Sequence, residues 1–307
     1  MTDAKTNKQI LVLGSVNADH VLDVQAFPAH GETVVGSNYR VLAGGKGANQ
    51  AVACARLGGD TQFLACVGSD AEGHAAITSL AEDGVDSSGI EAIENGRTGV
   101  ALIFVNDEGE NCIGISAEAN AELAPDKVRR NEAQIANADY LLMQLEVPLE
   151  SVVLAAEIAR KNHTRVILNP APANTTVPER LLNCTDIITP NQTEAETLTG
   201  VGVNSEEGAE GAASILHGYG IEIVIITMGS FGAYISDHSG GRLISARAVK
   251  AVDTTAAGDT FNGALVVALS EGAELDDAVK FANGAAAISV ARDGAQPSIP
   301  WRREVEG

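Results

Sequence analysis

The 307-residue sequence predicts an α/β fold: a mostly parallel sheet covered by helices on both faces. Three observations predict it. Apolar, β-branched runs alternate regularly with helical stretches from residue 140 onward, the pattern of repeated βα units. The composition is 45% hydrophobic but only 4% aromatic, which suits helices packed closely on buried strands better than an aromatic-rich all-β protein. Glycines gather at strand ends, where open α/β sheets bind ligands.

Taken in order, residues 10–14 are a short apolar run ending in glycine, a buried strand. Residues 16–43 mix β-prone pieces with the turn residues Pro28, Gly31, Gly36 and Asn38. An alanine-rich helix follows over about 47–57 and stops at Gly58-Gly59. Residues 61–67 read as a second buried strand and 73–83 as a helix closed by Gly84. Two β-rich runs, 99–105 and 111–116, flank Asn106-Asp-Glu-Gly109-Glu110, a hairpin signal. The alternation then sets in, with strands at 140–144, 165–169, 186–189 and 221–228 and helices at 149–161, 193–199 and 205–219. The β-rich stretches near 16–43 and 97–117 do not fit this alternation and are candidates for a small separate sheet covering the main one. No internal repeat or linker divides the chain, so residues 1–307 read as a single domain.

Twenty basic residues against 41 acidic ones give a net charge of −21. Nucleic-acid binding rests on neutralising phosphates with basic side chains, and anionic membranes attract the same residues, so neither partner is expected. An anionic nucleotide would have to be held locally by backbone N–H groups, helix ends and cations. Cys54, Cys66, Cys112 and Cys184 form no CxxC pair and read as thiols in a reducing compartment. Residues 1–9 are polar without a signal-peptide core, and no run approaches 18 apolar residues; a cytoplasmic location is expected.

Five stretches could carry chemistry. In Ala43-Gly44-Gly45-Lys46-Gly47-Ala48-Asn49-Gln50, three glycines permit close backbone approach to a ligand just where a helix begins, and Lys46 and Asn49 offer donors. A tight strand-to-helix turn with a solvated lysine explains the same residues. The stretch is neither a P-loop nor the dinucleotide fingerprint. In Asp253-Thr-Thr-Ala256-Ala257-Gly258-Asp259-Thr260, three residues with little or no side chain open an apolar helix, so their N–H groups can face an anion. Asp259 in that first turn is either an ordinary dipole-favoured carboxylate or a base beside an anion hole, as phosphoryl transfer to an alcohol requires. Asn191-Gln-Thr-Glu194 reads as a helix start with an acidic first turn, Thr227-Met-Gly229-Ser-Phe-Gly232 as a glycine turn, and Gly294-Ala-Gln-Pro-Ser298 as a C-terminal loop. The six histidines are scattered, without triad or HExxH context.

Together these stretches resemble the PfkB-type (ribokinase) carbohydrate kinase family, over about residues 10–301. The glycine-rich stretch and Asp253-Thr-Thr-Ala-Ala-Gly-Asp259 are its two signatures, in the expected order. Gly14-Ser-Val-Asn17-Ala-Asp19, Asn169-Pro-Ala-Pro172 and Gly294-Ala-Gln-Pro-Ser298 look most similar to the ribose-specific members. The resemblance implies a doubly wound α/β sheet with a small β lid formed by 16–43 and 97–117, and a homodimer paired through the lid. It implies ATP-dependent phosphorylation of D-ribose at O5. The sugar would lie against Asn17, Ala18, Asp19, Gly45, Lys46, Gly47, Ala48, Asn49 and Glu146. Asp259 would act as base, with the amides of Ala256, Ala257 and Gly258 as the anion hole. ATP would contact Asn191, Thr227, Met228, Gly229, Ser230, Phe231, Gly232, Gly258 and Asn283. Mg²⁺ would ride on the phosphates, with Asn191 and Glu194 nearby through water. K⁺ would be held by the Asp253 carboxylate, carbonyls at Thr255, Ser289, Arg292 and Gly294, and the Ser298 hydroxyl.

Three rivals remain at this level: a kinase for 2-deoxyribose or another sugar, a non-catalytic sugar sensor on the same fold, and a nucleotide-dependent oxidoreductase. The absence of GxGxxG after the first strand argues against the last. The intact Ala-Ala-Gly-Asp259 run argues against the sensor.

Overall fold

The computed structural model describes residues 8–173 and 176–307; the polar stretch noted at the N-terminus lies mostly outside them. Its strands are β1 (Gln9–Leu13), β2 (Asn17–Asp23), β3 (Ser37–Gly44), β4 (Asp60–Gly68), β5 (Ile90–Ile93), β6 (Gly99–Val105), β7 (Asn111–Ser116), β8 (Tyr140–Met143), β9 (Arg165–Leu168), β10 (Ile187–Ile188), β11 (Ile223–Thr227), β12 (Gly232–Asp237) and β13 (Gly240–Ser245). Helices of eight residues or more are α1 (Lys46–Arg56), α2 (Ala71–Glu82), α3 (Leu149–Lys161), α4 (Gln192–Thr199), α5 (Glu206–His217), α6 (Ala257–Ser270) and α7 (Leu275–Ser289).

Nine strands form the main sheet in the order β13-β12-β11-β10-β9-β8-β1-β4-β5. The seven strands from β11 to β5 pair parallel with one another; β12 pairs antiparallel with both β11 and β13. Both faces are buried, as parallel sheets require. Leu11 and Leu13 of β1 point into a core with Val152, Ala155 and Ala159 of α3 and Ala209 and Ala213 of α5. Ile10 and Val12 point the other way, onto Ala51 and Val52 of α1, Leu265 of α6 and Val279 of α7. Small residues on α1 and α6 let them pack closely: a Cβ on Gly263 would come within 3.0 Å of the Cys54 nitrogen.

The two β-rich stretches outside the βα alternation form a second sheet, β3-β2-β6-β7, in which β2 and β6 run parallel and the outer pairs antiparallel. The Asn106 side chain closes the β6–β7 turn, its Oδ1 accepting from the Glu108 and Glu110 amides at 3.1 and 2.8 Å. The β12–β13 hairpin and helix α7 are further elements that the alternation did not include. Among the described residues, no helix is long and apolar enough to cross a membrane.

Candidate active site

The parallel strands end on one edge, and the chain leaves that edge through the residues singled out from sequence. Ser15 to Asn17 follow β1, Gln144 to Glu146 follow β8, Asn169 follows β9, Thr189 to Glu194 follow β10, and Thr227 ends β11. This is the edge where open α/β sheets present ligand sites. A cleft of about 360 Å³ opens there, between the main sheet and the inner face of the small one.

The glycine-rich stretch forms the joint between β3 and α1. Gly45 is the residue before α1, with φ 91°, and a Cβ there would lie 2.8 Å from the Asn17 nitrogen and 2.9 Å from the Ser15 carbonyl. Only glycine fits both the left-handed backbone and this close approach. The amides of Ala48 and Gly47 are committed to the Ser15 carbonyl (2.9 Å) and hydroxyl (3.4 Å). Ala18 and Ala48 are buried, and of this stretch only Gly45, Lys46 and Asn49 line the cleft. Gly47 and Ala48 therefore build the turn rather than face a ligand. Asn17 is oriented from behind, its Oδ1 accepting from Asn120 Nδ2 at 2.8 Å. Glu146 accepts from the Ser15 hydroxyl (2.6 Å) and the Lys46 amide (3.1 Å).

Asp259 sits in the first turn of α6, almost fully buried. Its Oδ2 accepts from Asn49 Nδ2 and its Oδ1 from Gln50 Nε2, both at 3.0 Å. Burial raises its pKa; Lys46 and the two amide donors oppose the shift, and Glu146 adds to it. Ala256 caps the helix in the left-handed conformation (φ 58°), and Ala256, Ala257 and Gly258 all line the cleft. The first N–H groups of a helix have no intrahelical partner, and the Ala257 amide makes only a long 3.3 Å bond to the Thr254 carbonyl, so this end can receive an anion. Lys46 is the one cation among four carboxylates. Burial lowers its pKa, but Asp259, Glu146, Glu194 and Asp19 outweigh this, so it is held protonated.

Burial, reinforced by Glu146 and Asp259 against Lys46, pushes Asp19 up to about 7. Between the ordinary aspartate value of about 4 and 7, the folded chain keeps a proton that the unfolded chain has released. Stability therefore falls as pH rises through that window. Asp259 and Glu194, both raised chiefly by burial, act in the same direction. Thermal melting of the sugar-free protein between about pH 5 and pH 7.5 should show a shallower decline in Asp19→Asn than in the parent. Equal slopes would mean that Asp19 titrates normally.

Farther along the edge, Asn191 and Glu194 form a reciprocal cap on α4: Glu194 N donates to Asn191 Oδ1 and Asn191 N to Glu194 Oε2, each at 2.8 Å. Asn191 also bridges to Thr227. Beyond Thr227 the proposed nucleotide residues divide. Gly229, Ser230 and Phe231 are exposed on a single turn, and Gly232 has φ 109° where β12 begins. The Met228 side chain, by contrast, belongs to the core, which leaves only its backbone for a ligand. Asn283 lies outside the cleft, its Nδ2 donating to the Ile244 carbonyl at 3.0 Å and tying α7 to β13.

The stretch 251–255 is stitched to 289–298. Val252 N donates to the Val290 carbonyl at 2.7 Å, and Gly294 N to Asp253 Oδ2 at 3.0 Å. The Thr255 amide and hydroxyl both donate to Asp253 Oδ1, at 2.8 and 2.7 Å. Beneath them the hydroxyls of Ser289 and Ser298 lie 2.8 Å apart, fully buried. The Arg292 side chain turns outward to Glu304.

Sequence reasoning missed the apolar wall that the small sheet contributes: Ala101, Ile103, Ile113 and Ile115 line the cleft. The period-two alternation of β6 and β7 carried the signal, once their pairing placed these four residues on one face. It also missed the roles of Gln50, Gln144 and Asn169: Asn169 lines the cleft, and Gln50 and Gln144 lie behind Asp259.

The comparisons agree with this geometry. Residues 7–302 match the family described as pfkB family carbohydrate kinase. A ribokinase of Haemophilus influenzae is 51% identical over 297 residues, covering 97% of each chain. A deoxyribokinase of Salmonella typhi is 35% identical over 291 residues, covering 95% of each. The structure of Arabidopsis thaliana ribokinase complexed with ribose and ATP superposes with a TM-score of 0.90 at 33% identity, covering 98% of both chains. On these matches, which span nearly the whole chain, the protein belongs to the pfkB family of carbohydrate kinases.

Proposed function

We propose that the chain phosphorylates D-ribose on O5 with ATP, giving ribose 5-phosphate and ADP. The observation that carries this is the place of Asp259: a buried carboxylate, gripped by two amide donors, in the first turn of a helix whose opening amides line the same cleft as Asp19, Lys46 and Asn49. Asp259 takes the proton of the 5-hydroxyl as that oxygen bonds to the γ-phosphorus; the bond from phosphorus to the β–γ bridging oxygen breaks and ADP leaves. The amides of Ala256, Ala257 and Gly258 stabilise the charge on the phosphoryl group in flight.

The sugar lies against Asn17, Asp19, Gly45, Lys46, Asn49 and Glu146. Asn49 Oδ1 is buried without a hydrogen-bond partner, and a sugar hydroxyl supplies the donor it lacks. The nucleotide runs from Gly258 past Asn191 and Thr227 to the 228–232 turn. Mg²⁺ bound with the ATP phosphates would offset part of their charge, and Glu194, one oxygen of which already caps α4, would help to hold it through water. The Asp253 carboxylate, with neighbouring carbonyls and the Ser298 hydroxyl, is an all-oxygen set suited to a hard cation. K⁺ there would brace the loop leading into Ala256. The small sheet is the lid. Its outward face exposes Tyr39, Val41 and Leu102, an apolar patch that a second copy would cover in a homodimer; a monomer in sedimentation at assay concentration would remove that reading.

A panel of ribose, 2-deoxyribose and fructose, assayed with ATP and Mg²⁺ in potassium and in sodium-only buffer, tests the proposal. Ribose should give the highest kcat/KM and K⁺ the faster rate. Preference for 2-deoxyribose would move the chain to the other pentose, and no sugar-dependent ADP release would end the proposal. Equal rates in the two buffers would remove the cation from the Asp253 loop.

A further inference from the structure

The geometry points to Gln50 as a positioning residue for this reaction: its side-chain amide, oriented by Gln144 behind it, holds the Asp259 carboxylate in place and in its ionised form. The inference rests on the reading of Asp259 as the base.

Gln50 is fully buried in the first half of α1 and does not line the cleft. Its Nε2 donates to Asp259 Oδ1 and to Asn169 Oδ1, both at 3.0 Å, and its Oε1 accepts from Gln144 Nε2 at 2.5 Å. Asn169 in turn donates to the Thr189 carbonyl at 3.1 Å. A line of amides thus crosses the ends of β8, β9 and β10 and stops at Asp259. An amide has one donating and one accepting end. Gln144 Nε2 donates to Oε1 of Gln50, and the Gln50 NH₂ end faces Asp259. An ionised carboxylate only accepts, and this arrangement matches that form. With Asn49 on Oδ2 and Gln50 on Oδ1, the carboxylate plane cannot rotate, and each oxygen keeps a lone pair for the incoming hydroxyl.

The charged groups around Asp259 are Lys46 on α1, Glu146 after β8, Asp19 on β2 and Glu194 on α4. The three carboxylates disfavour its ionisation and Lys46 favours it. Gln50 is on the side of Lys46, so its loss should raise the pH at which Asp259 becomes a base. Asn49 cannot isolate this effect because it also lies in the cleft. Gln50 does so more cleanly, since it does not line the cleft and touches it only through Asp259 and Asn169, and the KM for ribose reports any effect through Asn169.

The test uses Gln50→Met and Gln144→Met in the full chain. Steady-state kinetics with ribose are followed across pH, and the Asp259 carboxyl is titrated by ¹³C NMR without sugar, its signal identified by loss in Asp259→Asn. In Gln50→Met, kcat should fall about ten- to a hundredfold with KM for ribose within about threefold. The acid limb of kcat and the NMR midpoint should both rise by about one pH unit. Gln144→Met should move them the same way by less, and should add nothing in the Gln50→Met background. A lower kcat with limb and midpoint unmoved would reduce Gln50 to packing; an unchanged kcat would remove it altogether. If Gln50→Met does not fold, Gln144→Met decides by the same two readouts. The NMR titration needs no turnover, so a parent chain inactive on every sugar of the panel would overturn the reading of Asp259 as base while leaving its coupling to Gln50 separately measured.

Discussion

Asp259→Asn is expected to bind ribose nearly as tightly as the parent while its turnover falls by about 10²- to 10⁴-fold, or roughly 3–5 kcal/mol of barrier. The substitution keeps the size and planarity of the side chain but removes the proton acceptor. It also sets one amide nitrogen against a donor, since Asn49 and Gln50 both donate to this position. That cost falls on the local hydrogen bonds and is offset by removal of a charge disfavoured by burial, so melting temperature should change little. Ribose affinity measured by calorimetry without nucleotide, beside kcat, separates the two roles. Turnover near that of the parent would take the proton-accepting role away from Asp259.

Gly258→Ala should separate stability from activity in the opposite sense. Glycine in a helix is ordinarily less stable than alanine by about 0.5–1 kcal/mol. A Cβ added at Gly258 would meet no atom of the protein within 4 Å, and its φ is not in the left-handed region. Nothing inside the chain therefore requires glycine. In the proposed mechanism the transferring phosphoryl group requires it, because a methyl there would stand where phosphate oxygens approach the amides. The variant should melt at the same temperature or slightly higher and lose about a hundredfold in turnover, comparable to loss of one oxyanion donor. Undiminished turnover would show that the open space beside Gly258 is not where the phosphate goes, and a destabilised protein would show that the chain itself requires glycine there.

Much of this was legible in the sequence because its signals were local. Apolar runs of four to eight residues marked the buried strands, and the glycine stretch and the Ala-Ala-Gly-Asp run each announced a helix start. Asn49 and Asp259 stand 210 residues apart yet lie 3.0 Å from one another, and each could be picked out from its own neighbours. The remainder depended on pairing between distant segments. Gln50 and Asn169 stand in the stretches singled out, but neither they nor Gln144 reveal a link to Asp259 until β8, β9 and α1 are brought side by side. Ile113 and Ile115 read as half of a hairpin, and only the register of β7 on β6 turns them toward the cleft. Asn283 was placed against the nucleotide only by the family resemblance, and the β12–β13 hairpin, absent from the βα pattern, holds its side chain through the Ile244 carbonyl.

The way the two sheets are joined bears on how one sugar is told from another. Asn17 and Asp19 ride on the small sheet, whereas Lys46, Asn49 and Asp259 belong to helices of the main body. A pentose touching both groups would act as a rivet across a seam crossed by only a few backbone joints, Gly45 among them. A sugar lacking one hydroxyl would then lose a contact and also grip the seam less firmly, leaving the base and the acceptor oxygen less well aligned. The penalty for the wrong sugar would be felt in kcat as well as in KM.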